Sequence, residues 1–378
     1  FFHLISNDLI KNFLRVNLVT NIHLENIFTK LREFMLESYI LERNDFIKKN
    51  IDLIISINIQ CEFNGYIWNV SKKEENYLAS IKKQILNLIN DGKYIPEELI
   101  CIYGSYYPIY NFNELKAYLL KNENKFNFDI SEIIHSHILL PIEIIKNSDL
   151  NDNKIDITDQ TSQIVKKLYE SYPYPRWKGK IKNYQNSLSN YGNTSSYVLN
   201  KISPTEKKDI LVAGCGTGKE LIQIAGTYKH SKIIAIDLSS SSLGYTKIKI
   251  DEHNFKNIEL KNLDILDLDK LNKKFDIIIC RGVLHHMYDP SKGLKALNGC
   301  LKDDGIMNIA LYSELARNDL SKIRNKIKLL KYENNLKDVR KFRSEIKSDK
   351  DTKFIWSIRD FYSYYEFQDL IFHPREVL

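Results

Sequence analysis

The chain has 378 residues, of which 43% are hydrophobic and 27% charged, which is typical of a globular protein with two or more domains. Its net charge is +7, but the basic residues are spread along the chain, which favours solvated helix faces over a nucleic-acid-binding patch. No stretch reaches the roughly 18 apolar residues of a membrane span, and the scattered cysteines do not suggest a zinc site. We therefore expect a cytoplasmic protein without a metal, a nucleic-acid partner or membrane insertion.

The first 150 residues have the pattern of an α-rich domain. Apolar residues recur at near-helical spacing from Asn21 to Asn50 and from Asn76 to Ile89, and glycine is scarce. Four tyrosines around Pro108 are interpreted as packing within this domain. The polar segment from Asn147 to Thr161 is predicted to be a linker or surface loop.

An extended strap follows this segment, with the sequence Tyr172-Pro173-Tyr174-Pro175-Arg176-Trp177. Its two prolines fix an extended backbone that cannot continue a helix. Large aromatic side chains on such a stiff segment can cover a flat surface.

After Lys208 short β-branched runs alternate with helical patterns. The predicted strands are residues 209–213, 232–236, 257–260, 275–280 and 305–311, and the predicted helices are residues 219–228, 240–251 and 291–301. This alternation predicts βαβ units and a doubly wound, Rossmann-like α/β core with a parallel sheet. Beyond Tyr312 the chain has a basic, mainly helical pattern, with an aromatic block at Phe361 to Phe367.

The first predicted strand runs into a glycine loop, Gly214-Cys215-Gly216-Thr217-Gly218. A phosphate-binding P-loop is disfavoured because Ala213 replaces its first glycine and Glu220 its hydroxyl residue. A dinucleotide fingerprint is disfavoured because Lys219 stands at its third glycine position. The remaining form, G-x-G-x-G, is the one that S-adenosylmethionine enzymes use.

Further residues at the ends of the next strands support this cofactor. Asp237, followed by Leu238, ends the second strand, where a carboxylate can accept both ribose hydroxyls. Asp264 and Ile265 follow the third strand, where they are expected to meet the adenine amine and ring. The fourth strand leads to Arg281 and then to the histidines 285 and 286, and its carboxyl end is expected at the reacting methyl group.

Residues of about 155 to 378 resemble bacterial methyltransferases that are often fused to tetratricopeptide repeats. The matching motifs are residues 168–177, 210–218, 282–286, 311–317, 360–363 and 369–373. The stretch 60–68 resembles the helical domain that precedes the fold in these proteins. Within the group, the chain is most similar to rickettsial protein lysine methyltransferases that modify an outer-membrane surface protein.

This resemblance implies a dimer-forming helical domain at residues 1–150, a methyltransferase core at 151–315 and a helical substrate-side region at 316–378. It also implies a homodimer and a protein substrate with accessible lysines. Ala213 departs from the acidic residue that many class I enzymes have there. We therefore expect Arg176 or Arg281 to contact the amino-acid part of the cofactor.

The mechanistic hypotheses concern the aromatic and imidazole groups. Tyr172, Tyr174 and Trp177 are hypothesised to cover the cofactor and line a lysine channel, with simple packing of the strap as the alternative. His285 and His286 are the candidate proton acceptors, and His286 has packing as its alternative role.

The leading interpretation is a protein lysine N-methyltransferase that converts S-adenosylmethionine to S-adenosylhomocysteine. A small-molecule methyltransferase and a non-catalytic, cofactor-binding scaffold remain as alternatives. A nucleic-acid amine methyltransferase is ranked low, because residues 280–286 lack the [DNS]-P-P-[YF] stretch of those enzymes.

Overall fold

The computed structural model describes residues 7–126, 128–149, 159–171, 173, 175–184, 198, 201–313, 315, 318–346 and 350–372. Its α-helices are α1 (Asp8–Val16), α2 (Ile22–Ile40), α3 (Asn44–Lys49), α4 (Ile51–Phe63), α5 (Lys72–Asn90), α6 (Glu97–Gly104), α7 (Asn113–Lys121), α8 (Phe128–Ile134), α9 (Leu140–Asp149), α10 (Gln160–Ser171), α11 (Lys219–Thr227), α12 (Ser240–Glu252), α13 (Pro290–Gly299), α14 (Asn318–Leu329), α15 (Leu336–Ile346) and α16 (Tyr364–Phe367). Its strands are β1 (Asp209–Ala213), β2 (Lys232–Asp237), β3 (Ile258–Asn262), β4 (Phe275–Arg281) and β5 (Leu301–Ala310). Among these residues, no helix is long and apolar enough to cross a membrane.

The described chain forms two compact units. The first contains the helices up to residue 142 together with residues 320–372, and the second contains residues 143–319. The sequence pattern places residues 316–378 in a region of their own, whereas in the structure α14 and α15 share one apolar core with the N-terminal helices. Their buried residues in that core include Leu320, Ile323 and Phe342.

The basic helix α15 joins this core because two of its arginines are turned inward. Arg343 forms a buried ion pair with Glu25, with 2.7 Å between Nη2 and Oε2, and it also donates to the Ile67 carbonyl. Arg340 donates from Nε to the Tyr66 carbonyl at 2.9 Å. Arg343 and Glu25 are 318 residues apart in the sequence, so a local pattern of charges does not predict their ion pair.

Two predicted segments have different bounds in the structure. The helical pattern from Asn21 to Asn50 is divided into α2 and α3 by Glu42, which has a φ of 56°. In the predicted loop from Asn147 to Thr161, residues 147–149 and 160–161 are helical. Asp159 accepts the Ser162 amide at 2.7 Å, so this carboxylate caps α10 at its start and extends the helix into the polar segment.

The second unit is built on a five-stranded parallel sheet in the order β3-β2-β1-β4-β5. The predicted doubly wound α/β fold is confirmed, and β1 has the predicted bounds. β5 begins at Leu301, earlier than predicted, because Leu301 already pairs with Phe275; an irregularity in register then precedes the pairing that resumes at Ile277 and Ile306. The strand order reverses between β1 and β4. Open α/β sheets bind their ligands beyond the carboxyl ends of the strands at such a point.

Candidate active site

The glycine loop begins where β1 ends and leads into α11. The amides of Gly214 and Cys215 both donate to the Ile236 carbonyl, at 2.9 and 3.0 Å, which ties the loop to β2. Gly214, Gly216 and Gly218 have φ values of 76°, 52° and 78°. These are left-handed conformations that residues with a Cβ adopt at a cost, so the loop depends on glycine.

Two of these glycines are also required by close neighbours. A Cβ on Gly214 would lie 2.3 Å from Cγ2 of Val283, and one on Gly218 would lie 2.7 Å from Cγ2 of Thr246. Gly282 differs, because its φ is 71° but no described residue outside its own chain neighbours lies within 4 Å of the position of its Cβ. The main chain after β4 is therefore open to a ligand, while the loop after β1 is packed against protein.

The Asp237 carboxylate lies directly beside the glycine loop. Its Oδ2 accepts the Gly216 amide at 2.8 Å, and its Oδ1 accepts the Ser239 amide at 3.0 Å. Each oxygen keeps a lone pair for a further donor, such as a sugar hydroxyl. Burial raises the pKa of Asp237, and the two backbone donors oppose that rise.

A second buried carboxylate, Asp264, follows β3. Its Oδ1 accepts the Leu266 amide at 2.9 Å, and burial raises its pKa while the Ser162 hydroxyl lowers it. The next residue, Ile265, is buried in the core of the sheet. Asn262 donates to the carbonyls of Asp237 and Leu238, both at 3.0 Å, so the ends of β2 and β3 are held together.

Arg281, the last residue of β4, is held by two side chains. Its Nε donates to Oδ1 of Asn308 at 2.6 Å, and its Nη1 forms a hydrogen-bonded ion pair with Glu220. Burial raises the pKa of Glu220, and the guanidinium opposes this rise. Glu220 thus occupies the P-loop hydroxyl position but serves to orient a cation beside the glycine loop.

The two histidines lie in an aromatic cluster after β4 and β5. Both are buried, and the His285 ring is stacked on Tyr312 with centroids 4.0 Å apart. His286 lies 4.2 Å from His285 between ring centroids and packs edge-on against Tyr169, at 6.3 Å. Tyr169 and Tyr312 are missed by the sequence reasoning for this cluster, although both lie inside the motifs that carry the resemblance.

Trp177 is packed against α12. Its indole Nε1 donates to the Thr217 carbonyl at 2.9 Å, so it supports the glycine loop from behind. The Lys249 ammonium lies 5.0 Å from the centre of its ring, and Tyr245 bonds to its backbone. Trp177 is 7% exposed, so these contacts agree with the packing alternative. The adjacent Arg176 is partly exposed, and Tyr172 and Tyr174 lie outside the described residues.

Helix α10 carries a further residue that the sequence reasoning misses. Oε2 of Glu170 accepts the Ser239 hydroxyl and the Ser241 amide, both at 2.9 Å. These donors lie 69 and 71 residues away in the sequence, at the start of α12. The sequence offers no signal for the contact except that Glu170 lies in the motif 168–177.

The described residues fit S-adenosylmethionine. β2 ends in a partly buried carboxylate that is bonded to the glycine loop, and the segment after the neighbouring strand β3 carries a buried one. β4 ends in a fixed guanidinium. Carboxylates suit the ribose hydroxyls and the adenine amine, and a guanidinium suits the carboxylate of the methionine part. Among the described residues, no cluster of histidine, cysteine and carboxylate side chains could hold a metal ion.

Comparison with known proteins shows a similarity to methyltransferases. Residues 204–360 match the model of a family described as a methyltransferase domain. An uncharacterized protein of Synechococcus is 32% identical over 179 residues, 46% of this chain and 43% of that protein. An uncharacterized protein of Rickettsia prowazekii is 39% identical over 109 residues, 28% of this chain and 44% of that protein. PKMT2 from Rickettsia typhi in complex with AdoHcy is 29% identical with a TM-score of 0.35, over 41% of this chain and 32% of that chain.

The chain spans less than half the length of each of these proteins. The α/β unit nevertheless has the Rossmann-like class I methyltransferase architecture, with the matched domain model covering all five strands. Its cofactor is S-adenosylmethionine.

Proposed function

We propose that this chain is a protein-lysine N-methyltransferase. The observation that carries the proposal is the cluster of Tyr169, His285, His286 and Tyr312 after β4 and β5. Aromatic faces attract alkylammonium groups by cation–π interaction, so such a cluster suits the side chain of a lysine. It would lie at the methyl end of the site, because the two carboxylates follow β2 and β3 on the other side of β1.

The cofactor would be held by residues along the carboxyl edge of the sheet. Asp237 would accept the ribose hydroxyls, Asp264 the adenine amine, and Arg281 the carboxylate of the methionine part. Ile265 would contact the adenine ring. When bound, S-adenosylmethionine supplies an electrophilic methyl group on a sulfonium.

The protein must present its lysine acceptor as a neutral amine. With a reference pKa near 10.4, deprotonation at pH 7 costs roughly 4 to 5 kcal/mol. Desolvation of the ammonium next to the sulfonium charge would lower its pKa and reduce this cost. We infer that His285 accepts the proton, with its ring oriented by the stack on Tyr312.

The experiment that tests the function uses tritiated S-adenosylmethionine and a bacterial lysate divided into protein, nucleic-acid and metabolite fractions. We expect label in protein, and we expect it to disappear when the lysines are first blocked by reductive methylation. Asp237→Asn should lose the labelling, whereas Asp251→Asn, a matched change at an exposed position on α12, should keep it. Label confined to metabolites would favour a small-molecule methyltransferase, and no label with intact cofactor binding would favour a scaffold.

The finer parts of the proposal come from the motif resemblance. The acceptor would be a surface protein of the bacterial outer membrane, and the helical N-terminal region would form a homodimer. Light scattering tests the second point: a mass near 44 kDa, the mass of one chain, would exclude the dimer.

A further inference from the structure

Helix α10 contacts the segments that follow three strands of the sheet. Near its start, the Ser162 hydroxyl lowers the pKa of the Asp264 carboxyl, which follows β3. Near its end, the ring of Tyr169 packs edge-on against His286, which follows β4. Glu170, the next residue, bonds to the start of α12, which follows β2.

These contacts place α10 across the carboxyl edge of the sheet. Tyr169 lies seven residues after Ser162 along the helix, a rise of about 10 Å. β3 and β4 are three strand spacings apart, about 14 Å, and the side chains cover the remaining distance. One helix thus contacts both carboxylate positions and the aromatic cluster of the proposed site.

A continuous chain of hydrogen bonds leads from Glu170 to Asp237. Oε2 of Glu170 accepts the hydroxyl of Ser239, whose own amide donates to Oδ1 of Asp237 at 3.0 Å. The Ser241 hydroxyl returns a bond to the Glu170 carbonyl at 2.9 Å. The Glu170 carboxylate therefore holds the turn between β2 and α12 that sets the orientation of Asp237.

We propose that Glu170 is a positioning residue for the ribose of the cofactor, and that it acts through Ser239 and Asp237. The inference rests on the proposed role of Asp237. It assigns α10 a part in cofactor binding. Glu170 on this helix holds the Asp237 carboxylate in place for the ribose, while Tyr169, the residue before Glu170, contacts His286 at the proposed reaction end. Glu170 itself is not required to touch the cofactor.

The test measures binding of S-adenosylhomocysteine and of its 2′-deoxyribose analogue by calorimetry, with no methyl acceptor present. Glu170→Ala should weaken the binding of S-adenosylhomocysteine about tenfold or more, equivalent to at least about 1.4 kcal/mol of binding free energy. It should weaken the deoxy analogue less than about threefold, because part of the ribose contact is already missing. Glu259→Ala, a matched change on the exposed face of β3, should change neither.

A second comparison uses the Asp237→Asn background, in which Glu170→Ala should have less than about a threefold effect. Equal weakening with and without Asp237, or an unchanged affinity of Glu170→Ala, would overturn the positioning role. If Glu170→Ala fails to fold, Ser239→Ala breaks the same chain of bonds and should show the same dependence on the ribose hydroxyl. Failure of the wild type to bind S-adenosylhomocysteine would instead remove the proposed function, and this inference with it.

Discussion

The imidazole of His285 stacks on the phenol ring of Tyr312, with 4.0 Å between the ring centroids and 25° between the ring planes. Each residue follows a different strand of the sheet, His285 after β4 and Tyr312 after β5. The stack therefore depends on the pairing of these two strands. It gives the proposed reaction end a fixed aromatic face.

Removal of that face should slow methyl transfer. Tyr312→Ala should lower kcat/KM by a factor that corresponds to about 1–2 kcal/mol of lost cation–π attraction, which is roughly 5- to 30-fold. Tyr312→Phe keeps the ring and should retain most of the activity. Tyr288→Ala is the matched control, because Tyr288 is 65% exposed. An equally large loss in Tyr312→Phe would assign the role to the hydroxyl instead of the ring.

The proton-accepting role of His285 can be tested by the dependence of turnover on pH. His285→Ala should lower kcat most at the pH values where the imidazole is neutral and can accept the proton, and least at low pH, where the imidazole is already protonated. The measurement is a rate profile over about pH 6 to 9. Unchanged turnover across that range would remove His285 from the mechanism.

The buried carboxylates should make the stability of the cofactor-free protein depend on pH. Burial raises the pKa of Asp237 above its ordinary value of 3.8, so the folded state keeps this proton to a higher pH than the unfolded state does. The free energy of unfolding should therefore fall as pH rises from 3.8 to the raised pKa.

Asp237→Asn should flatten this part of the profile, which urea denaturation at a series of pH values would measure. Asp264 is shifted in the same direction, so part of the slope should remain. Identical slopes for the wild type and the variant would show that Asp237 titrates with an ordinary pKa in the folded protein.

Arg281 should discriminate ligands by their amino-acid part. A charge-assisted hydrogen bond is worth about 1.5–3 kcal/mol, so Arg281→Gln should weaken S-adenosylhomocysteine by roughly 10- to 100-fold. Binding of 5′-methylthioadenosine, which has no carboxylate, should not change. Glu220→Gln should give a smaller effect in the same direction, because Glu220 only orients the guanidinium. Equal losses for both ligands would contradict the assignment.

Gly214 in the glycine loop and Gly282 after β4 permit a comparison of two costs in folding stability, backbone strain alone and strain combined with a steric clash. Gly282→Ala introduces a Cβ into open space at a φ of 71°, so it should cost about 1–2 kcal/mol of stability from backbone strain alone. Gly214→Ala adds a clash with Val283 and should cost more. Because Val283→Ala removes the clash, the double variant should recover part of that difference in urea denaturation. No recovery would show that the contact with Val283 does not limit this position.

The fold and the cofactor loop were accessible to sequence reasoning because their signals are local. Runs such as Ile233-Ile234-Ala235-Ile236 are apolar on both faces of the sheet, as a buried parallel strand requires. The glycines had to stand directly after such a strand. These patterns predict where the strands lie in the sequence, that they run parallel in the sheet, and that the cofactor binds at the loop after the first strand.

The missed residues share one property, which is that their partners are distant in the sequence. Glu170 meets Ser239 and Ser241 across about 70 residues, and Tyr312 reaches His285 only because β4 and β5 pair. For Trp177 the sequence left two roles open, a cover over the cofactor and packing of the strap, and its indole donates to the carbonyl of Thr217, 40 residues away. No periodicity or short motif encodes such distances.

Local sequence encodes the alternation of strands and helices, the glycine loop after β1 and the carboxylates at the ends of the next strands. These features depend on which residues are neighbours along the chain. Three contacts form only in the folded chain: Glu170 bonds to the turn beside Asp237, Tyr312 stacks on His285, and Arg343 pairs with Glu25. These contacts depend on which surfaces pack against each other, because a polar side chain is buried at little cost only where a partner meets its hydrogen-bonding requirement.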